Sequence, residues 1–318
     1  MGLADAHVVR RLGVIRFPRY RVTVSAPGKV NLALRVVGVT GDGYHELRTV
    51  FAAVSLCDQL VFQPAMGSAI RVTVLGHQAT LIPHDGTDLT ARAARLLRSN
   101  FGRPALGARI TLTKSIPVAG GMAGGSADAA AALVGCDKLW RLGVPHDDLT
   151  ALARELGADV PFGLLGGVAY GTGRGDQLRV LPVTGTLDWV LAFAETGLST
   201  ASVFAAYDKQ GASSMNDTRQ IDDLATALAA GDAASVGANL GNDLEAAAIS
   251  LRPELGHTLA FGRAQPGVLG AVLSGSGPTC AFLVASAQDA TRVAGALAGL
   301  PQVAGVSVVQ SPVPGAAQ

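Results

Sequence analysis

Cysteine is scarce in this sequence of 318 residues, and its three cysteines lie far apart. Cys57, Cys136 and Cys280 show no CxxC spacing, so the sequence predicts neither a disulfide framework nor a zinc site. Isolated cysteines of this kind suit a reducing compartment. We therefore expect a cytoplasmic protein.

An excess of charge of either sign is also absent. The 25 lysine and arginine residues nearly balance the 24 acidic residues, the net charge is +1, and no long run of one sign occurs. Nucleic acids and anionic membranes attract basic surfaces, so the composition argues against both kinds of partner. It leaves the oligomeric state open.

Apolar segments of the kind that enter membranes are lacking too. Residues 1–20 contain basic residues but no apolar core long enough for a signal peptide, and we interpret them as an N-terminal extension. Residues 267–287 carry no charge over 21 positions, a length that can span a bilayer, but the loop sequence from Ser274 to Thr279 would break a membrane helix. We expect two buried strands around a tight loop there.

With 49% hydrophobic residues, the chain is long enough for two globular domains. We predict a boundary near Leu181, which gives domains at 21–181 and 182–312. The second half is predicted to fold as strand, helices, two strands, helix and strand, the split βαβ arrangement of an α+β layer. The predicted elements are strands at 187–194, 268–273, 280–284 and 303–309, and a helix at 200–207 capped by Thr200. Residues 311–318 are expected to be a loose tail.

The sequence is rich in glycine between Lys114 and Trp140, KSIPVAGGMAGGSADAAAALVGCDKLW. We predict a strand end, a loop with four glycines, and a helix that begins at Ser126 as its cap. Backbone N–H groups of such a loop and of a helix's first turn form an anion site. A turn without a ligand is an equally good interpretation of this pattern alone. No lysine follows the glycines, so it is not a Walker A loop.

Three further groups are ambiguous when each is taken alone. Residues 22–39 predict two strands that meet at Ala26–Gly28, after which Lys29 and Asn31 share one strand face; a solvated face is the better interpretation. Tyr44 and His45 follow a turn sequence. Asp159 lies two residues before a proline, as helix N-caps often do, with a general base as the alternative.

Three separated motifs together resemble those of the GHMP kinases, which phosphorylate small molecules: PGKVN at 27–31, IPVAGGMAGGSA at 116–127 and GSGPTCAF at 275–282. Within that superfamily, DGYHEL at 42–47, DLTARAARLL at 88–97, GADVPF at 157–162 and NDLE at 242–245 resemble the 4-diphosphocytidyl-2-C-methyl-D-erythritol kinase family. The resemblance implies an α+β fold with an N-terminal α/β ATP-binding domain, a ferredoxin-like C-terminal domain and an active site in the cleft between them.

The resemblance also implies an activity, the transfer of the γ-phosphate of ATP to the 2-hydroxyl of 4-diphosphocytidyl-2-C-methyl-D-erythritol in the non-mevalonate isoprenoid pathway. It implies that Lys29 and Asp159 are the catalytic pair. Asn31, Tyr44 and His45 are then expected to hold the substrate, with Phe204 as an opposite aromatic face. The residues expected to wrap the ATP triphosphate are Pro117, Val118, Ala119, Gly120, Gly121, Met122, Ala123, Gly124, Gly125, Ser126 and Ala127.

Mg²⁺ is expected to arrive with ATP, because it prefers phosphate and water oxygens, and Ser126 is the protein contact that we predict for it. Two other functions compete with this one. One is a GHMP kinase for another small alcohol, such as homoserine or mevalonate. The other is a nucleotide-binding regulator without turnover, against which the presence of both Lys29 and Asp159 argues. A Rossmann oxidoreductase built on Gly275 is disfavoured, because a strand rather than a helix is predicted to follow.

Overall fold

The computed structural model describes residues 20–41, 43–76, 78–83, 85–101, 104–211 and 219–316. The N-terminal extension predicted at residues 1–20 lies outside the described residues apart from Tyr20, as does Asp42 of the predicted turn.

Among the described residues, one mixed sheet has seven strands, in the order β3-β4-β2-β1-β8, with β5 on the other half of β2 and β6 beyond it. Its centre is a long antiparallel pair, β1 with β2. The strands are β1 (Val22–Val39), β2 (His45–Ala65), β3 (Ile70–Gly76), β4 (Gly107–Lys114), β5 (Val168–Thr172), β6 (Gln177–Val180) and the short β8 (Gly241–Asn242).

The prediction of two strands that meet at Ala26–Gly28 is wrong, because β1 is continuous through these residues. Pro27 pairs with Cys57 and the register shifts before Lys29. A bulge of this kind accommodates a proline, which has no N–H for the ladder. The β5–β6 hairpin was not predicted from the sequence.

Helices cover one face of this sheet. Their bounds are α1 (Leu89–Asn100), α2 (Gly124–Trp140), α3 (His146–Leu156) and α4 (Val160–Leu165). Asp88 caps α1 by accepting from the backbone N–H of Ala91 at 2.9 Å. Helix α2 is buried through its alanines and Leu133, which pack against Phe62 and Leu97 in the core of this half. A central helix buried so thoroughly fixes the position of the loop that leads into it.

The second half forms a four-stranded antiparallel sheet in the order β11-β7-β10-β9. Its elements are β7 (Leu187–Phe193), α5 (Thr200–Lys209), α6 (Arg219–Ala230), α7 (Ala233–Ala238), α8 (Glu245–Leu251), α9 (Pro253–Arg263), β9 (Val268–Leu273), β10 (Cys280–Val284), α10 (Ala287–Ala298) and β11 (Gly305–Ser311). This strand order is that of a ferredoxin-like layer, so the split βαβ prediction is confirmed. Residues 268–284 form two buried strands as predicted, and no described helix is long and apolar enough to cross a membrane.

Two expectations for this half are wrong in detail. Helix α5 is capped by Ser199, which accepts from the N–H of Ser202, and not by Thr200. Residues 311–316 are not loose: Val313 donates to the carbonyl of Ala53 at 3.2 Å, Gly167 donates to Val313 at 2.8 Å, and Ala316 donates to Gly163 at 2.7 Å. The tail therefore returns to the first sheet and to the end of α4.

The two sheets share a hydrophobic core. Val30, Leu32 and Ala52 of the first sheet pack with Trp189, Leu191 and Val272 of the second. Val309 belongs to the same cluster. The boundary at residue 181 stays a prediction.

Candidate active site

A cleft of about 1300 Å³ gathers most of the predicted site residues. Among its lining residues are Lys29, Asn31, Tyr44, His45, Pro117, Val118, Ala119, Gly120, Gly121, Ala123, Gly124, Gly125, Ser126, Asp159 and Phe204. Met122 and Ala127 are not in its wall: Met122 is 1% exposed and Ala127 is 3% exposed. Met122 packs with Ile116 in the shared core, and Ala127 packs in the core under α2.

The glycine-rich loop directs its carbonyl groups into the protein. The carbonyl of Ala119 accepts from the N–H of Leu198 at 3.4 Å, that of Gly120 from Thr279 at 3.3 Å, and that of Met122 from Lys29 at 3.1 Å. The carbonyl of Gly121 accepts from the Ser274 hydroxyl at 3.0 Å. In a planar trans peptide the N–H points opposite to the C=O. The N–H groups of residues 120–123 therefore point away from these partners, and Gly120, Gly121 and Ala123 line the cleft.

The loop's backbone has the form of an anion-binding nest. Ala119, Gly121 and Ala123 have φ of 53°, 77° and 55°, whereas Gly120 and Met122 between them lie outside the left-handed region. Alternation of left-handed with other conformations turns successive N–H groups to one side, where they surround an anion. A left-handed alanine costs about 1 to 3 kcal/mol, so the surrounding hydrogen bonds must hold the loop in this conformation.

Helix α2 begins at Gly124, two residues before the predicted start at Ser126. Its N-cap position is Ala123, and no side chain of the described residues caps it. The first N–H groups of the helix are thus left for a ligand under the positive end of the helix dipole. Ser126 lies in the first turn and lines the cleft, so it is a wall residue and not a cap.

Lys29 lies at the floor of the cleft and is only 6% exposed. Its ammonium donates to the Asn31 Oδ1 atom at 2.5 Å and to the carbonyl of Gly121 at 2.7 Å. Burial lowers the pKa of Lys29 below its ordinary value, and the negative charge of Asp159 opposes this. The solvated strand face, which the sequence favoured, is therefore wrong: the second sheet and the loop cover this face.

Asp159 lies at the N-cap position of α4 but does not act as a cap. Its carboxylate accepts no hydrogen bond within the described part of the chain, and it faces the cleft, where its charge acts on Lys29. The general-base interpretation is thus compatible with the geometry, whereas the capping interpretation is not.

The three predicted aromatic contacts are arranged differently from the sequence expectation. Tyr44 is 55% exposed, and the Arg174 guanidinium lies 5.0 Å from its ring centroid. Phe204 stacks on His45, with ring centroids 4.5 Å apart and planes at 24°. His45 Nε2 lies 2.7 Å from Asp208 Oδ1. In this structure Phe204 faces His45 and not Tyr44.

Comparison with known proteins agrees with this geometry. The family described as "GHMP kinases N terminal domain" matches residues 88–167, and "GHMP kinases C terminal" matches residues 224–300. The 4-diphosphocytidyl-2-C-methyl-D-erythritol kinase of Thermobifida fusca is 52% identical over 302 residues, which cover 93% of this chain and 97% of that protein. The chain belongs to the 4-diphosphocytidyl-2-C-methyl-D-erythritol kinase family.

Other matches support the same family. The enzyme of Nocardia farcinica is 52% identical over 93% of this chain and 95% of that protein. A crystal structure of 4-(cytidine 5'-diphospho)-2C-methyl-D-erythritol kinase superposes with a TM-score of 0.76 at 34% identity, covering 92% of this chain and all of the other. Homoserine kinase from Cytophaga hutchinsonii, at 21% identity and a TM-score of 0.73, shares the fold. The family, kinase class and fold predicted from the motifs are confirmed.

A buried ionic cluster of Lys114, Asp58 and Asp128 anchors both ends of the glycine-rich loop. Lys114, at the end of β4, contacts Asp58 of β2 and donates to Asp128 of α2 at 2.7 Å. Asp58 also accepts from the N–H groups of Ser115 and Ile116 at 2.6 and 2.9 Å. The strand before the loop and the helix after it are thus tied to one another.

The charges of this cluster are strongly perturbed. Burial raises the pKa of Asp128, with Lys114 opposing and Asp58 adding to the shift. Burial also tends to lower the pKa of Lys114, but the two carboxylates outweigh it and raise that pKa. Asp128 Oδ1 has no hydrogen-bond partner among the described residues. These conditions favour a proton on Asp128.

Several residues of the site were not identified from the sequence. Thr49 of β2, Arg174 in the β5–β6 turn, Asp208 of α5 and Asp58 reach the site through tertiary packing. Local patterns carry no signal for them, because their partners are 16 to 163 positions away. Asn242 did have a sequence signal, because it belongs to the NDLE motif. Its amide donates at 2.7 Å to the carbonyls of both Leu273 and Gly275, and so it holds the start of the GSGPTCAF motif in place.

Proposed function

We propose that this protein transfers the γ-phosphoryl group of ATP to the 2-hydroxyl of 4-diphosphocytidyl-2-C-methyl-D-erythritol, in the non-mevalonate isoprenoid pathway. One observation carries the proposal: the buried ammonium of Lys29 is held against a loop whose N–H groups face the cleft, within electrostatic reach of Asp159. Phosphoryl transfer requires in-line placement and charge neutralisation more than covalent work from the protein. Lys29 and the loop's backbone N–H groups are proposed to supply the charge neutralisation.

In this proposal Lys29 and Asp159 have complementary roles. Asp159 accepts the proton of the 2-hydroxyl as that oxygen forms its bond to the γ-phosphorus and the bond to the β–γ bridging oxygen breaks. A lysine ammonium has three donors. Two are engaged by Asn31 and Gly121, which leaves the third for the γ-phosphate or Asp159.

The nest at residues 119–123 and the start of α2 bind the triphosphate. Tyr44 and His45 bind the diphosphocytidyl group, with Phe204 stacked behind His45. Both ends of the Asn31 side chain already contact the protein, so its proposed contact with the substrate uses the second amide hydrogen. Among the oxygen donors that line the cleft, the hydroxyl of Ser126 is the one that we propose as a contact for Mg²⁺, which would supply charge neutralisation when bound.

The rest of the proposal concerns partners and location. A small-molecule substrate fits a cleft of about 1300 Å³. Nucleic-acid and membrane partners are not proposed, given the balanced charge. All three cysteines are free thiols, which supports a cytoplasmic location.

Turnover of a panel of alcohols tests the function. Purified protein is incubated with ATP, Mg²⁺ and, separately, diphosphocytidyl-methylerythritol, homoserine or mevalonate. Phosphorus NMR then follows ADP and the new phosphate ester. We expect a product from the diphosphocytidyl alcohol, with homoserine and mevalonate at background. A product from homoserine or mevalonate alone would replace this proposal by another kinase activity, and ATP binding without any product would favour a regulator.

A further inference from the structure

A chain of three buried side chains runs from Thr49 to Lys29. The Thr49 hydroxyl donates to the carbonyl of Ala33 at 2.7 Å. The Asn31 amide nitrogen donates to that hydroxyl oxygen at 2.8 Å, and Lys29 donates to the Asn31 carbonyl oxygen at 2.5 Å. Thr49 is fully buried, Asn31 is 2% exposed and Lys29 is 6% exposed, so water has little access to compete for these groups.

The chain has a fixed polarity. A hydroxyl has one hydrogen, and the hydrogen of Thr49 is used by the Ala33 carbonyl. Its oxygen then accepts a bond only from a donor, which is the NH₂ end of the Asn31 amide. Because the two ends of an amide are opposite, the oxygen end must face Lys29.

Packing holds the Thr49 hydroxyl in this direction. Thr49 lies between two neighbours in the sheet, paired with Leu34 on one side and Gly171 on the other. Its methyl carbon faces Gly171, where an added Cβ would lie 3.3 Å away. A β-branched side chain has few rotamers, so a methyl packed on this side leaves the hydroxyl towards Asn31 and Ala33.

We propose that Thr49 is a positioning residue for the phosphoryl transfer, which sets the orientation of the Asn31 amide and through it the position of the Lys29 ammonium. This inference rests on the proposed function, because Lys29 is taken as the catalytic cation. Thr49 is fully buried, so the proposed role acts through Asn31 and not through a direct contact with a ligand. Without its hydroxyl, the Asn31 amide has no reason to keep its oxygen towards Lys29, and the ammonium loses one of its two anchors.

The experiment compares two near-isosteric substitutions. Thr49→Val keeps the shape and removes the hydroxyl, whereas Thr49→Ser keeps the hydroxyl and removes the methyl. Small misplacement of a catalytic group costs up to about 100-fold in rate, so we expect Thr49→Val to lower kcat by about 10- to 100-fold, with both KM values within about 3-fold of wild type. Thr49→Ser is expected to keep at least about one third of the wild-type kcat.

The control is Thr73→Val, on the exposed face of β3, which is expected to behave as wild type. A purely structural role of Thr49 would lower the melting temperature of both variants and leave kcat of the folded fraction unchanged. That result, or equal losses in Thr49→Val and Thr49→Ser, would overturn the inference. If Thr49→Val does not fold, Thr49→Ala is measured in its place against the same expectations.

A crystal structure of the Thr49→Val protein separates this inference from the proposed function. We expect the contact between Lys29 Nζ and Asn31 Oδ1, 2.5 Å in the wild type, to lengthen or break. An unchanged contact overturns the inference even if the wild type phosphorylates its substrate. A wild type without turnover on any alcohol overturns the proposed function, and the position of Lys29 in the variant crystal then still decides the role of Thr49.

Discussion

Asp159 is the residue on which the proposed proton transfer depends. Its carboxylate makes no capping bond among the described residues, so replacement by asparagine removes charge without removing a structural contact. Loss of a general base costs about 100- to 10,000-fold in rate. We expect Asp159→Asn to melt near the wild-type temperature, to bind both substrates, and to turn over at least about 100-fold more slowly.

Steady-state kinetics check this prediction, and the loss is expected in kcat more than in KM. Asp148→Asn, at an exposed position in the first turn of α3, is the matched control. Near-normal turnover of a folded Asp159→Asn protein would show that Asp159 is not the proton acceptor.

Tyr44 is predicted to bind the pyrimidine by stacking. Stacking of a base on an aromatic side chain contributes about 1 to 3 kcal/mol. Tyr44→Ala should therefore raise the KM for the diphosphocytidyl substrate by roughly 5- to 150-fold, with little change for ATP. Tyr44→Phe keeps the ring and serves as control. Equal weakening of both ligands would argue against stacking at this residue.

The sequence analysis placed Lys29 and Asn31 on a solvated strand face, and this interpretation was wrong for a physical reason. The alternation in residues 22–39 predicts that Lys29 and Asn31 share a face, which they do. It contains no information about what covers that face, and here the cover comes from residues 121 and 274–275, far away in sequence. The burial of Lys29, and therefore its lowered pKa, could not be predicted from the local sequence.

At the scale of elements, the two glycines at the start of α2, Gly124 and Gly125, are predicted to have different roles. A Cβ at Gly124 would lie 2.9 Å from Ile116 Cγ2 and 3.1 Å from Lys114 Nζ, whereas a Cβ at the exposed Gly125 would meet among the described atoms only Leu89 Cδ1, at 3.8 Å. We expect Gly124→Val to destabilise the fold by about 1 to 3 kcal/mol through overpacking. Gly125→Val should fold and lower ATP affinity by about 10-fold or more, because its side chain enters the anion site.

Calorimetry of ATP binding and thermal melting distinguish the two variants. Gly295→Val on α10 controls for valine in a helix, because an added Cβ there would meet no described atom within 4 Å apart from its chain neighbours and its own helix backbone. If Gly125→Val binds ATP as tightly as wild type, the first turn of α2 does not hold the triphosphate.

The ionic cluster that joins β2, β4 and α2 predicts a pH dependence of stability. Burial raises the pKa of Asp128 from its ordinary 3.8 to about 8. Between these values the folded protein holds a proton that the unfolded chain releases, so the free energy of unfolding falls as the pH rises. The raised pKa of Lys114 acts in the same sense at higher pH, since its contribution is present below its ordinary value and is lost as the pH passes the raised value.

Urea unfolding at several pH values between about 5 and 8 measures this slope. We expect Asp128→Asn to flatten it, because an amide does not titrate, and Asp148→Asn to leave it unchanged. Parallel curves for wild type and Asp128→Asn would mean that Asp128 is ionised in the folded protein.

Elements with strong local signals were predicted closely, and those that depend on distant partners were not. Strands β9 and β10 begin and end at the predicted residues, 268–273 and 280–284. The start of α2 was misplaced because the sequence contains a good cap, Ser126, whereas the fold leaves the helix uncapped for a ligand. Two of the three left-handed residues of the loop are alanines, which give no signal for that conformation.

At the scale of the whole molecule, the returning tail is predicted to stabilise the first half. A Cβ at Gly315 would lie 2.2 Å from the Leu164 carbonyl oxygen and 2.8 Å from the Gly166 nitrogen, and both are backbone atoms. Gly315→Ala should therefore lower the stability by about 1 to 3 kcal/mol or detach the tail. Gly295→Ala, in a helix where the added Cβ would meet no described atom within 4 Å beyond its chain neighbours and its own helix backbone, should instead be neutral or stabilise by up to about 1 kcal/mol.

Chemical denaturation of the two alanine variants checks the comparison. Equal stability of Gly315→Ala and Gly295→Ala would show that residues 311–316 contribute nothing to the stability of the fold.

The order of elements in the second sheet was predictable, because each strand and helix has its own hydrophobic periodicity. The return of the tail was not, because its hydrogen bonds are made by backbone groups, which almost any sequence can supply.

The carbonyl partners of the glycine-rich loop have a consequence for the protein's synthesis on the ribosome. Lys29 and residues 119–123 emerge early, but the groups that hold the loop carbonyls, Leu198, Ser274 and Thr279, emerge much later. Until then Lys29 alone of these partners holds the loop, through the carbonyls of Gly121 and Met122, and the strained left-handed residues lack the other hydrogen bonds that fix them. A nascent chain shorter than about 280 residues should thus be unable to retain nucleotide, although every residue proposed to contact ATP or to perform the chemistry has already been translated.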